Sequence, residues 1–418
     1  TRGRLIQKRG APGSAEPGAP TNNKSDTGMN NKNALIYFCR SEKHIGRLHR
    51  AIARAAELGE ALDVTILLDE NTPMLVDVPE GTKLVYLPPL QVDPDSNVFE
   101  FSRTEQLRDS IIRRRDTILE VFEQLKPRVV IVDNFPFNQH RLRGEVLPMI
   151  ERAHNGVYGE SLVIATTDSI MVDESANNED RADLAASVLD KYFDLVIVQS
   201  DPVFARIEEF FKPRNTLRTP TYHTGFVMPD DRDKWEAGGR RSDIIVSAGD
   251  GRFGGALFRA AIDAQRVLLP VTQMTMKVIA GPRLPDDEYN DLVERAADVG
   301  SIEVVRIVDS MRAEMAKARC SVSQCGYHTA LNAISTQTPS LFVPCEDSHR
   351  AEQIVRAQRL VYWGAGRLLM PRHLNAASLT NDIYQLLQLQ PRKVKFDMEG
   401  AAHAARLIER AVQLGDIG

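Results

Sequence analysis

Cysteine is scarce in this chain, and the scarcity removes whole classes of protein. The four thiols, Cys39, Cys320, Cys325 and Cys345, form no CxxC pair. A disulfide scaffold and a structural zinc site are therefore not expected, and a reducing, cytoplasmic setting fits. Long apolar runs are missing as well, none approaching the ~18–20 residues that cross a bilayer. A large excess of either charge is also absent. The 52 Lys and Arg face 57 Asp and Glu for a net −5, so the chain is not a general binder of nucleic acid, although local basic patches stay open. What is present is ordinary for a globular protein: 418 residues, 43% hydrophobic and 26% charged. At roughly 100–200 residues per domain that favours two domains, with three the upper bound.

Residues 1–33 stand apart, with six Lys or Arg, two Asp or Glu and almost no apolar side chains. Such a segment buries too little to offset the entropy of ordering, so a disordered leader is expected. From Ala34 onward, short Val/Ile/Leu-rich runs alternate with helical periodicity. Strands are expected at Ala34–Cys39, Val64–Leu68, Leu84–Leu87, Val129–Val132, Leu162–Ala165 and Leu195–Val198, with helices at Ile45–Leu58, Thr104–Leu125 and Ala182–Tyr192. Runs with so little alternation suit parallel strands covered on both faces. A polar, charged stretch at 228–243 reads as a linker or long surface loop. A second series follows, with strands at Ile244–Ser247, Thr275–Ala280, Val304–Ile307, Cys320–Ser323 and Leu341–Val343. Its helices are expected at Gly255–Leu269, Asp286–Val299, Asp309–Lys317, Thr329–Ser335 and Ser348–Arg359, and Met398–Leu414 is helical again. The expectation is an α/β protein of two doubly wound units, 34–227 and 244–397, with the tail 398–418 returning to the first. Ligands in such sheets bind at the carboxyl ends of the strands, where strand order reverses.

Three segments could carry chemistry. The first, Ser247-Ala248-Gly249-Asp250-Gly251-Arg252-Phe253-Gly254-Gly255, joins a strand to a helix. Its glycines let the backbone approach an anion, the helix start offers unpaired N–H groups, and Arg252 could add a bidentate phosphate contact. Gly249, Gly251 and Gly254 also spell the dinucleotide fingerprint GxGxxG. That fingerprint expects an acid after the next strand, where this chain has Gly281-Pro282, which argues against NAD. The second, Cys325-Gly326-Tyr327-His328-Thr329, is again a strand, a glycine turn and a helix start, with Thr329 as hydroxyl donor or N-cap. A diphosphate there would meet several N–H groups. The third carries Glu352 and Gln353, whose groups suit sugar hydroxyls but would equally suit a solvated helix face.

The run CGYHTALNAI, then TPSLFVP, then AEQIVRA resembles the C-terminal donor-binding region of GT-B glycosyltransferases. Within them it is most similar to the bacterial peptidoglycan N-acetylglucosaminyltransferase and its relatives. His44-Ile45-Gly46-Arg47 is similar to that family's acceptor loop, and Val132-Asp133-Asn134-Phe135-Pro136-Phe137 resembles a loop of its relatives. The resemblance implies a GT-B fold, with two Rossmann-like domains facing a cleft. It implies that Gly249, Asp250, Gly251 and Arg252 approach a nucleotide diphosphate from one side, and Gly326, Tyr327, His328 and Thr329 from the helix end. Glu352 and Gln353 would hold the transferred sugar. Asn332 falls where the family usually has a Glu on the ribose hydroxyls, and an amide offers one good acceptor contact rather than two charge-assisted ones. Ser41-Glu42-Lys43 replaces the family's glycine-rich acceptor loop, so a different acceptor is expected.

An inverting transfer needs a base for the acceptor hydroxyl and positive groups for the departing diphosphate. His44 is the first candidate for base or acceptor contact. Asp133 could be base, orienter or loop cap, and Asp168 is a further candidate at a strand end. Helix ends can receive the departing charge, so no metal or other cofactor is expected. Arg113-Arg114-Arg115 with Arg141 and Arg143 is either a solvated face or a draw for an anionic acceptor or a membrane surface, which would place the protein at the membrane periphery. The expected activity is sugar transfer from a nucleotide-linked donor, UDP first, to an unidentified hydroxyl. The alternatives are a nucleotide-sugar epimerase or hydrolase of the same fold, and a non-catalytic nucleotide-sugar-binding protein.

Overall fold

The computed structural model describes residues 33–39, 45–69, 77–90, 105–137, 142–172, 178–228, 243–345 and 351–414. The leader up to residue 32, most of the polar stretch 228–243, and the positions of Ser41, Glu42, Lys43, His44 and Arg141 lie outside the described residues. Asn33, expected to end the leader, instead opens the first strand.

Seven parallel strands form the N-terminal sheet: β1 (Asn33–Cys39), β2 (Leu62–Asp69), β3 (Lys83–Leu87), β4 (Val129–Asp133), β5 (Leu162–Thr167), β6 (Leu195–Val198) and β7 (Thr221–His223). Six form the second: β8 (Ile244–Ser247), β9 (Met276–Ile279), β10 (Ile302–Val305), β11 (Cys320–Ser323), β12 (Ser340–Phe342) and β13 (Gly366–Leu368). The order is β3-β2-β1-β4-β5-β6-β7 in one and β10-β9-β8-β11-β12-β13 in the other. Each starts at an inner strand, winds outward, then returns to wind the other way, which is the Rossmann order twice over. The reversal falls between β1 and β4 in the first sheet and between β8 and β11 in the second.

The flanking helices are α1 (Ile45–Leu58), α2 (Glu105–Leu125), α3 (Arg143–His154) and α4 (Asn178–Tyr192) in the first half. The second half has α5 (Gly255–Thr272), α6 (Asp286–Ala297), α7 (Met311–Lys317), α8 (Tyr327–Thr336), α9 (Glu352–Tyr362) and α10 (Ala376–Leu386), and α11 (Gly400–Leu414) closes the chain. All eleven expected strands are present within about two residues of their expected bounds. The central ones are buried along their length, as continuous Val/Ile/Leu runs require. α10 is absent from the expected helices, and the other unexpected elements have weak signals. β7 and β13 span three residues each and are part-exposed, and α3 holds Gly144 and Pro148, which interrupt a helical pattern.

The C-terminal helix does return. Ala404, Ala405 and Ile408 of α11 share a buried cluster with Leu48, Ala51 and Leu58 of α1 and with β1 and β2. Just before it the chain is stitched to the N-terminal half, with Phe226 N–H donating to Asp397 C=O (2.7 Å) and Gly400 N–H to Phe226 C=O (2.9 Å). A second shared cluster joins the halves directly. Phe204 and Phe226 pack edge-on against Phe396 at 5.3 and 6.1 Å, and Phe226 meets the Tyr327 ring at 5.8 Å. Burying a ring of that size contributes about 1.5–3 kcal/mol, so the halves meet through a continuous apolar seam.

Arg114, expected on a basic surface, points inward instead. It is 1% exposed and binds Asp69 at the end of β2 (2.8 Å), Glu145 of α3 (2.7 Å) and the Pro88 carbonyl (2.9 Å). Arg113 and Arg115 remain outside, the latter paired with Asp116 at 2.7 Å.

Candidate functional site

The two glycine turns share one edge of the second sheet. β8 and β11 pair in parallel with Ser247 opposite Ser323, so the turns that follow leave side by side at the switch point. Gln324 links them. Its N–H donates to Ser247 C=O (3.2 Å) and its side-chain amide to Phe253 C=O (2.9 Å).

The first turn packs tightly on the turn after β9. A Cβ on Gly251 (φ +90°) would stand 2.0 Å from the Ala280 carbonyl, and one on Gly281 (φ +87°) 2.4 Å from the Asp250 carbonyl carbon. Arg283 N–H adds a hydrogen bond to Asp250 C=O at 2.8 Å. This backbone contact takes the place where a dinucleotide site would present its ribose-binding acid, the physical counterpart of the missing carboxylate. Gly249 (φ +60°) has nothing within 4 Å of its Cβ direction. Arg252 is exposed beside it, its N–H donating to the Asp250 carboxylate at 3.3 Å.

At the second turn the helix cap is Gly326, not Thr329, which lies within the first turn of α8. The first helical bond runs from Ala330 N–H to Gly326 C=O (3.0 Å). The N–H groups of Tyr327, His328 and Thr329 therefore precede the ladder and face outward from a helix N-terminus. The Tyr327 side chain does something else. Its hydroxyl donates to Gln199 C=O (2.9 Å) and accepts from Val227 N–H (2.9 Å), both in the N-terminal half. The ring is a latch between halves, and only its backbone is left for a ligand.

His328 leans on α1. Its ring centroid is 5.4 Å from that of His49, and its Nδ1 lies 3.0 Å from where a Cβ on Gly46 would be. Burial, the His49 ring and the Arg50 and Arg356 guanidiniums hold the His328 imidazole well below its ordinary pKa. Burial and Arg50 lower His49 to about 4. Both rings are neutral near pH 7, so His328 offers hydrogen bonds there rather than charge.

Gln353 is 2% exposed, and its side-chain oxygen accepts from Cys325 N–H and Cys345 N–H, both at 3.2 Å. It ties the start of α9 to the ends of β11 and β12. Glu352, the first residue of α9, is half-buried beside it. Arg356, one turn on and 5% exposed, donates to Cys325 C=O at 2.8 Å. Burial pushes the Cys325 thiol up to about 12, which leaves it a small apolar residue. Asn332, on α8, is 8% exposed.

Asp133 ends β4 at the first sheet's switch point and is 1% exposed. It accepts from the Thr166 hydroxyl (2.8 Å), Asn134 (2.8 Å), Gln199 (3.3 Å) and Tyr37 (3.4 Å). Burial alone would raise its pKa, but Arg50, Arg47, Arg54 and the Thr166 hydroxyl hold it below the ordinary value. Arg50 and Arg54 are what the sequence reading missed. Arg47, Arg50 and Arg54 recur at helical spacing along α1, and the last two are 3% and 0% exposed. Arg54 bonds the Tyr37 hydroxyl and stands 4.0 Å from Asp133. Arg50 lies 3.6 Å from Asp168, and its guanidinium carbon sits 4.6 Å over the Tyr327 ring. A charge inside the stripe formed by Leu48, Ala51, Ala55 and Leu58 was the available signal, because a solvated arginine would stand on the opposite face.

Two switch-point edges thus meet, each carrying a helix N-terminus and buried cations, and the fold as a whole is similar to solved structures. MurG of Acinetobacter baumannii is 15% identical, with 92% of this chain and 99% of that one aligned at a TM-score of 0.56. The glycosyltransferase of kitacinnamycin is 13% identical over 91% and 99% at 0.59. VinC, solved in complex with dTDP, is 13% identical over 91% and 95% at 0.52. The fold is therefore GT-B. Residues 255–411 match the model of the glycosyltransferase family 28 C-terminal domain, which covers α5 through most of α11 and both faces of the second turn. With that domain on that fold, the chain is a glycosyltransferase, in keeping with the resemblance to the peptidoglycan enzyme. No curated protein matches it. Among the described residues no helix is long and apolar enough to cross a membrane, and no cluster of three or more His, Cys, Asp or Glu could hold a metal ion.

Proposed function

We propose that the chain transfers a sugar from a nucleotide-linked donor, UDP first, to an acceptor hydroxyl, with inversion at the anomeric carbon. The observation that carries the reading is the pairing of β8 with β11, which sets two glycine turns side by side at a switch point. The diphosphate lies between Gly249, Asp250, Gly251 and Arg252 on one side and the first-turn N–H groups of Gly326, Tyr327, His328 and Thr329 on the other. Dipole attraction at such a helix start is worth about 0.3–1 kcal/mol exposed and up to ~2 in a partly buried site. Arg252 and the buried Arg356 add charge for the departing diphosphate without a metal ion. Asn332 stands toward the ribose. Glu352 faces the sugar, and Gln353 shapes that wall through the two turns it ties. On the acceptor side His44 contacts the incoming hydroxyl compound, and Asp133 orients the Tyr37, Thr166 and Gln199 network. The acceptor is anionic or membrane-associated, a reading supported by the exposed Arg113 and Arg143, and the site of action is the cytoplasm or its membrane face.

A thermal-shift panel of UDP, dTDP, GDP, CDP and NAD tests the donor. UDP should raise the melting temperature most, and Gly326→Trp should abolish the rise by filling the second turn. An unchanged response in Gly326→Trp, or a larger response to NAD, would overturn the assignment.

A further inference from the structure

We propose that Asp168 is the general base of the transfer, the group that takes the proton from the acceptor hydroxyl; this rests on the donor reading above. Four strands of the N-terminal sheet deliver an aspartate at or just beyond their carboxyl ends: Asp69 on β2, Asp133 on β4, Asp168 after β5 and Asp201 after β6. Three are already used. Asp69 is 5% exposed and bound to Arg114 at 2.8 Å. Asp133 receives four side-chain donors and is almost fully covered. Asp201 caps two backbone segments, accepting from Val203 N–H (2.7 Å) and Asp397 N–H (2.8 Å).

Asp168 differs from all three. Its side chain keeps 23% of its surface open, and among the described residues its ion-pair neighbour is Arg50 at 3.6 Å, beyond hydrogen-bond length. Oδ1 is buried without a hydrogen-bond partner, so the open part of the side chain lies away from Oδ1. A base needs an uncommitted oxygen that a hydroxyl can reach, and among these four only Asp168 presents one.

Its position ties it to the donor side. Arg50 reaches from α1 between the Asp168 carboxylate and the face of Tyr327, the first residue of α8. The carboxylate is thus one guanidinium away from the helix start proposed to hold the diphosphate. Arg50 fixes it from one side, and contact of α1 with α8 brings the two together.

In the step, an acceptor oxygen lone pair forms the bond to the anomeric carbon while its O–H proton passes to Asp168 Oδ2. The bond from the anomeric carbon to the diphosphate oxygen breaks, and its electron pair leaves with the diphosphate.

The test uses the whole chain with UDP-glucose and UDP-N-acetylglucosamine as donor probes and follows UDP release. Water serves as a nucleophile that must be deprotonated, and azide as an anion that need not be. Asp168→Asn should lower release to water by roughly 10²–10⁴-fold, keep azide-dependent release within about twofold, and leave the UDP thermal shift unchanged. Asp168→Glu should recover part of the water reaction. Wild-type release to water by Asp168→Asn would overturn the assignment. So would equal loss with water and azide, which is what a merely structural residue gives. A wild type that binds UDP yet releases none to either nucleophile refutes the base alone, and one that does not bind UDP refutes the donor reading and the base with it.

Discussion

Gln353 distinguishes two roles for the same residue, and Gln353→Met separates them. Methionine has nearly the shape of glutamine but accepts no strong hydrogen bond. In the folded chain, Cys325 N–H and Cys345 N–H would lose their common acceptor at 3.2 Å each, in a place where Gln353 is 2% exposed. A buried donor left unpaired costs about 1–3 kcal/mol, so two give about 2–6 kcal/mol. That is a large share of the 5–15 kcal/mol that holds a typical domain. Urea titration followed by circular dichroism, without ligand, should show the transition midpoint falling strongly. Gln353→Glu keeps an acceptor for both N–H groups and should fall less. If Gln353 only held the sugar, Gln353→Met would weaken donor binding and leave the ligand-free transition in place. An unfolding free energy within about 0.5 kcal/mol of wild type would therefore refute the latch.

Three further outcomes follow from geometry. Gly251→Ala puts a Cβ 2.0 Å from the Ala280 carbonyl at φ +90° and should abolish the UDP thermal shift, whereas Gly249→Ala meets nothing within 4 Å and should cost only the ~1–2 kcal/mol of a left-handed backbone, measured by the same titration. Arg114→Met leaves Asp69 and Glu145 buried without their cation and should destabilise the N-terminal half by about 3–5 kcal/mol, read as a lowered urea midpoint. Asp133 is held below its ordinary pKa in the fold, so its contribution is complete above about pH 4 and is lost as pH falls through the folded value. The stability gap between wild type and Asp133→Asn should accordingly shrink on acidification below about pH 4, and a gap that widened there would contradict the reading.

The sheets were legible because a strand covered on both faces must be apolar along its length, and Val129–Val132 or Leu195–Val198 can hardly be anything else. The glycine turns were legible for a related reason, since a strand ending in Gly249 or Gly326 before a helical pattern leaves the backbone bare at one edge. Side-chain roles were less so. Tyr327 sits inside the recognisable motif, yet its hydroxyl bonds residues 128 and 100 positions away, and no local pattern reports a partner that distant. Gln353 resembles a solvated helix residue until the ends of β11 and β12 are placed beside it. The arginine row of α1 left a trace, a cation in an apolar stripe, but its meaning depends on carboxylates contributed by β4 and the segment after β5.

The last helix carries a consequence for how the chain is made. Ala404, Ala405 and Ile408 complete a core whose other members lie before residue 200. During synthesis, the half that emerges first must therefore wait, with the greasy side of α1 uncovered, until the residues of the second sheet and then α11 have followed it. The first sheet therefore matures only after the second has been made, whatever the speed of its own collapse.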